Sequence, residues 1–302
     1  MRPAFSVVFL TTLIGAGQGL FLALFAGLLR NVPDRFLVVG SAISIALAAL
    51  GLLASFFHLG RPERAWRSAA MWRTSWLSRE VIALPAFVAG AAACFLFPGH
   101  LFLETAVLAL CLALFLCTAM IYACLRFIEE WAQPLTVVNF ILLGLSSGSV
   151  LASALAALAG EQRALALAAP LALVVTLVAW ASRTAAWRRN AALRHRSTLQ
   201  SATGIASARL AQTSMGMSAG SFNTREFFHR ASAAALRRIK GIAIVLGFAL
   251  PALLIAGVIV GVLPELACVA ALVAQAPGLI ADRWLFFAQA KHPQNLYYQV
   301  VS

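Results

Sequence analysis

Two residues in this 302-residue chain combine acid–base chemistry with a place at the edge of apolar sequence: His58 and Glu80. They stand at the two ends of a short polar stretch. It opens Phe57-His58-Leu59-Gly60-Arg61-Pro62-Glu63-Arg64-Ala65-Trp66 and closes Trp76-Leu77-Ser78-Arg79-Glu80. A neutral imidazole passes protons near neutral pH, and a carboxyl within hydrogen-bond reach does the same. Such a pair suits a quinone, whose two-electron chemistry moves two protons. The same residues also fit a plainer arrangement, in which His58 caps a helix and Glu80 pairs with Arg79 or Arg61 at the membrane surface.

Other polar residues interrupt apolar runs: Gln18, Asn139, Gln275, Asp282 and Arg283. Ionisable groups inside a membrane span are functional candidates by default. Asp282 and Arg283 either pair with each other or leave Arg283 to line a quinone pocket or its proton path. Gln18 is a further candidate, and Tyr122 and Arg126 close the fourth apolar run on the side of His58. A bis-histidine haem needs two histidines at membrane depth. Of His58, His100, His195, His229 and His292, only His58 borders a span on its side, so no haem is expected. Cys94, Cys111, Cys117, Cys124 and Cys268 all fall in apolar runs and form no CxxC pair. They read as packing residues, and any iron–sulfur cluster belongs to another chain. Gly15-Ala16-Gly17-Gln18-Gly19 is not a dinucleotide fingerprint, because no strand precedes it.

The elements that position these groups follow from composition. The chain is 62% hydrophobic and 11% charged, against roughly 25% charged in soluble domains. Apolar runs recur at 8–29, 36–57, 81–97, 105–124, 135–158, 165–182, 239–262 and 266–287. Each is long enough to cross a hydrocarbon core, and backbone in lipid must satisfy its own hydrogen bonds, so each is a helix. The expected architecture is all-α: one eight-span membrane domain over 1–302, with a long basic arm at 183–238. Arg2 before the first run resembles a signal peptide, but the run is too long and reads as the first span. Glycines four apart at Gly15/Gly19, Gly144/Gly148 and Gly257/Gly261 mark places where helices approach closely.

Of the 23 Lys and Arg, 19 fall on the face with the termini, three on the other (Arg30, Arg35, Arg163), and Arg283 lies within a span. That asymmetry predicts cytoplasmic termini. The net charge of +13 therefore reads either as membrane orientation alone or as a basic face that docks an acidic partner, and not as nucleic-acid binding. Within the arm, Asn223 followed by Glu226 predicts a helix N-cap, with a helix running through Phe227 and Phe228 into span seven.

The stretch Ser55-Phe56-Phe57-His58-Leu59-Gly60-Arg61-Pro62-Glu63-Arg64-Ala65-Trp66, followed by Thr74-Ser75-Trp76-Leu77-Ser78-Arg79-Glu80, resembles the dimethyl sulfoxide reductase anchor-subunit family. Phe5, Gly17-Gln18-Gly19-Leu20-Phe21 and the eight-span layout are similar as well. The resemblance implies a membrane anchor that exchanges electrons between a quinone (ubiquinone or menaquinone) and a four-cluster iron–sulfur subunit, itself serving a molybdopterin catalytic subunit. It also implies quinone-site roles for His58 and Glu80. The long basic sixth loop and the tail His292-Pro293-Gln294-Asn295-Leu296-Tyr297-Tyr298-Gln299 look more like the sulfite-oxidising branch of the family than the sulfoxide-reducing one. Partner docking is expected through Arg61, Arg64, Arg67, Arg73, Arg225, Phe227 and Phe228. The rival expectations are an anchor running from quinol to a sulfoxide, a purely structural anchor, and a secondary transporter; the last is disfavoured because the distinctive residues cluster at one surface.

Overall fold

The computed structural model describes residues 1–26, 32–57, 59–214, 220 and 222–298. His58 and Arg30 lie outside the described residues. Among the described residues, eight helices are long and apolar enough to span a membrane. They are α1 (Phe5–Phe25), α2 (Asp34–Phe56), α3 (Trp76–Leu96), α4 (Leu101–Ala123), α5 (Pro134–Ala159), α6 (Gln162–Ala191), α7 (Ala233–Ile259) and α8 (Ala267–Ala288). An even number of crossings puts both termini on one face, called the terminal face below. The outward surface is apolar, with Leu50, Leu53, Leu112, Val174, Leu253 and Val273 exposed as a lipid-facing shell requires.

α1 and α5 are the most enclosed helices and form the centre. Their crossing is set by the predicted glycines: a Cβ on Gly19 would overlap the Gly144 carbonyl, and one on Gly148 would overlap the Gly19 backbone. Small residues at such a crossing let the backbones pack directly where lipid supplies no hydrophobic drive. Gly257 and Gly261 do not form a helix crossing. Gly257 faces Leu263 of the following loop, and Gly261 (φ 74°) ends α7. A pair the spacing does not reveal, Gly247 and Gly278, brings α7 and α8 together.

α7 contains a π turn at Val245–Ala249. Pro251 has no N–H and crowds the carbonyl four residues back, that of Gly247. Gln275 Nε2 reaches that carbonyl at 3.5 Å and Ser146 Oγ at 3.0 Å, and Ser146 lies 2.8 Å from Thr176 Oγ1. Gln275 thus ties α5, α6, α7 and α8 together rather than facing a substrate.

The largest boundary change is in α6, which continues to Ala191, nine residues past the expected end. Arg183 is therefore a buried span residue and not the start of the arm, which leaves 18 basic residues on the terminal face against three. Arg188 and Arg189 in the last turn suit the negative end of the helix dipole. The expected N-cap at Asn223 is absent. Asn223 lies inside the short helix Phe222–Glu226 and donates to Gln294 Oε1 (3.0 Å). Arg230 turns the chain (φ 56°), and α7 starts afresh, capped by Ser232, whose Oγ accepts from Ala235 N.

Candidate functional site

Glu80 is not at the surface. It sits one turn into α3, 7% exposed, and accepts a 2.5 Å hydrogen bond from Thr118 Oγ1 of α4. Ser75 caps α3 through the Ser78 amide and so fixes the register that turns Glu80 inward. The Arg79 side chain donates to the carbonyls of Trp72 and Arg73 and lies over the Trp76 ring, so the alternative Arg79–Glu80 pair is not formed.

One helical turn beyond Thr118 on the same face of α4 stands Tyr122. Its ring stacks on Phe140 (5.5 Å) and meets Trp131, Phe286 and Phe287 edge-on. The Arg283 guanidinium lies over Phe140, 3.9 Å from the ring centre. Tyr122 is close enough to both Glu80 and Arg283 to feel their charges. Glu80, Thr118, Tyr122, Phe140 and Arg283 therefore make one line of polar and aromatic groups just beneath the terminal face. It offers a carboxyl, a phenol, a guanidinium and flat ring surfaces, the groups that bind a planar carbonyl compound and move its protons.

Two candidates fall elsewhere. Gln18 donates to the Cys111 carbonyl at 2.8 Å, seven residues and about 10 Å along α4 from Thr118. It fastens α1 to α4, as Ser44 Oγ fastens α2 to the Gly17 carbonyl (2.7 Å). Asp282 pairs not with Arg283 but with Arg183, whose Nε donates to Oδ1 at 2.6 Å, both side chains at most 5% exposed. Adjacent residues on a helix point about 100° apart, so they meet other helices rather than each other. Cys124, at the end of α4, is exposed and lies outside the apolar core. Arg126 is likewise exposed.

Below this line the terminal face opens into a basin of about 770 Å³ whose lining includes Glu130, His195, His229, Lys240, Lys291 and His292. The tail closes it. Asn295 Nδ2 donates to the Phe227 carbonyl (3.0 Å), Tyr297 OH to the Ala202 carbonyl (2.8 Å), and Phe227 stacks on His292 (4.0 Å). Phe228 is buried in the basin wall. Phe227 is thus engaged by the chain's own arm and tail and Phe228 is buried, and of the arm's three docking candidates Arg225 is the exposed one. Arg61, Arg64, Arg67 and Arg73 are exposed on or beside the 3-10 helix Pro62–Ala69, next to the exposed Trp66 and Trp72.

Sequence reasoning missed Thr118, Glu130 and Arg183. The signal for Arg183 was present: Ala185, Ala186 and Trp187 continue the apolar helical pattern past it.

A buried acid–aromatic–guanidinium line inside an eight-span bundle, with a basic loop and arm on the same face, defines a polytopic membrane protein. The chain matches the DMSO reductase anchor subunit (DmsC) family over residues 1–288 and belongs to that family. It is similar along its whole length to a sulfite dehydrogenase subunit from Allochromatium vinosum, at 49% identity over 330 aligned positions covering all of both chains.

Proposed function

We propose that this chain is the membrane anchor subunit of a sulfite dehydrogenase and delivers the electrons of sulfite oxidation to the quinone pool. The observation that carries the proposal is the full-length likeness to a sulfite dehydrogenase subunit. The buried line from Glu80 to Arg283 supplies the chemistry. A molybdopterin subunit oxidises sulfite with water to sulfate, releasing two electrons and two protons. An iron–sulfur subunit passes the electrons to the anchor, which is not catalytic alone. Here quinone takes two electrons and two protons to become quinol.

In this chain His58 and the Arg283 guanidinium hold the quinone carbonyls. Glu80, kept in place by Thr118, transfers protons. Phe140 and its aromatic neighbours give the ring an apolar slot. The exposed Arg61, Arg64, Arg67, Arg73 and Arg225 meet an acidic face of the iron–sulfur subunit and act mainly on its rate and specificity of capture. The bias of 18 basic residues to three supports a cytoplasmic position for that face, for both termini and for the partner subunits.

Purification of the complex from membranes tests this reading. Three proteins should copurify, and sulfite should reduce added quinone. A complex that oxidises quinol with a sulfoxide and is inert to sulfite would reverse the direction of flow. Reporter fusions at Ser302 and near Gly99 test the orientation, which a periplasmic C-terminus would overturn.

A further inference from the structure

The basin on the terminal face does not end at its visible floor. Glu130, Asn190 and Gln289 line both it and a second, enclosed polar cavity above it. That cavity is also lined by Thr136, Asn139, Arg183, Asp282, Arg283 and Phe140. Asn139 lies five residues into α5 and Asp282 six residues from the end of α8, so the cavity reaches about 8–9 Å below the helix ends. Four buried polar atoms on its walls have no protein partner among the described residues: Glu130 Oε2, Asn139 Oδ1, Arg183 Nη2 and Asp282 Oδ2. Each of these residues is at most 4% exposed. They include one donor group and three acceptors, contributed by α5, α6, α8 and the loop before α5. Unpaired polar atoms inside a membrane protein are costly. A volume of about 10 Å³ is close to what a single water needs, and a water needs two to four polar partners.

We propose that this cavity binds an ordered water and that Glu130 is the proton entrance connecting the aqueous basin to the quinone site. The inference rests on the quinone-reducing function proposed above. His195 Nε2 lies 3.6 Å from Glu130 Oε1 on the basin side. On the inner side Glu130 faces the bound water, which accepts from Arg183 and donates to Asp282 or Asn139. Arg283 lines the far end and lies over Phe140, which stacks on Tyr122. For each quinone reduced, two electrons come from the iron–sulfur partner. Two protons enter from the basin past Glu130, and the carboxyl is reprotonated from bulk water through the basin.

The test uses the intact complex. Glu130→Gln keeps the shape and removes the proton exchange. Proton-transfer groups contribute about 100- to 10,000-fold where nothing replaces them. Because water can leak in, quinone-linked sulfite oxidation should fall about tenfold or more. Its solvent deuterium isotope effect should rise, and added acetate should restore part of the rate. Glu130→Asp should retain most of the activity, and sulfite oxidation with a soluble dye should be unchanged. Density maps of the wild-type complex should show a water between Asn139, Arg183 and Asp282. Unchanged quinone turnover in Glu130→Gln, loss of dye-linked activity along with it, or an empty cavity would each overturn the entrance. A wild-type complex that reduces no quinone would overturn the function itself, and this inference with it.

Discussion

Deleting one partner of the Arg183–Asp282 pair should be far more harmful than deleting both. The pair joins α6 to α8 at 2.6 Å with at most 5% exposure on either side. Solvent screening therefore discounts little of it, and salt has no access. Asp282→Leu strands a guanidinium that already has one unpartnered nitrogen, Nη2. Removing one member of a buried pair costs about 3–5 kcal/mol, or roughly two to four powers of ten in the unfolding equilibrium. Arg183→Met strands the carboxylate and should cost a similar amount. The double variant leaves no uncompensated charge, so its loss should be below about 1 kcal/mol. Reversible unfolding of the detergent-solubilised protein over a series of SDS concentrations reads all four corners of the cycle. If the two single losses simply add in the double variant, the residues are not coupled and the reasoning fails.

Gly148→Ala would push a methyl into the backbone of Gly19 and Leu20 and should cost about 1–3 kcal/mol or more. Gly241→Ala, with open space around it, should change stability little; equal melting temperatures would refute the crossing as described. Burial, and then the nearby positive N-terminus, hold His229 and His292 below the ordinary value of 6.5. The folded chain binds fewer protons there than the unfolded chain, so their contribution is full above that value and lost as pH falls through the lowered one. Hydrogen exchange in 223–231 and 292–298, corrected for its intrinsic pH dependence, should accelerate below about pH 6; constant protection down to about pH 5 would contradict this. Arg64→Glu with Arg67→Glu and Arg73→Glu should slow capture of the iron–sulfur subunit about tenfold at low salt, with the difference shrinking as salt is added. Association kinetics of the separated subunits would show it, and an unchanged rate would move docking elsewhere.

The bundle was legible because each span is long and apolar in sequence, and Gly19 and Gly148 because their spacing is local. The site was only half legible. Glu80 could be named from the loop that precedes it, but its burial depends on Thr118, 38 residues away on another helix. Arg183 looked like the start of an arm because a charge ends an apolar run. It stays in the span because Asp282, 99 residues later, neutralises it. Asp282 and Arg283 looked like mutual partners because they are neighbours in sequence, whereas helix geometry sends them to different helices. Phe227 advertised a partner, and the chain's own tail occupies it, which no local pattern could reveal. Glu130 gave no signal at all, since its meaning lies in the two cavities that it separates.

The most direct measurement of the central claim is sulfite-driven quinone reduction by the purified complex carrying Glu80→Gln, set beside its sulfite oxidation with a soluble dye. The amide of that variant would keep a hydrogen-bond acceptor for Thr118 but cannot exchange a proton. Quinone-linked turnover should drop about 100-fold or more, with dye-linked turnover and membrane attachment intact, and His58→Ala should behave alike. Full quinone turnover in Glu80→Gln would contradict the account.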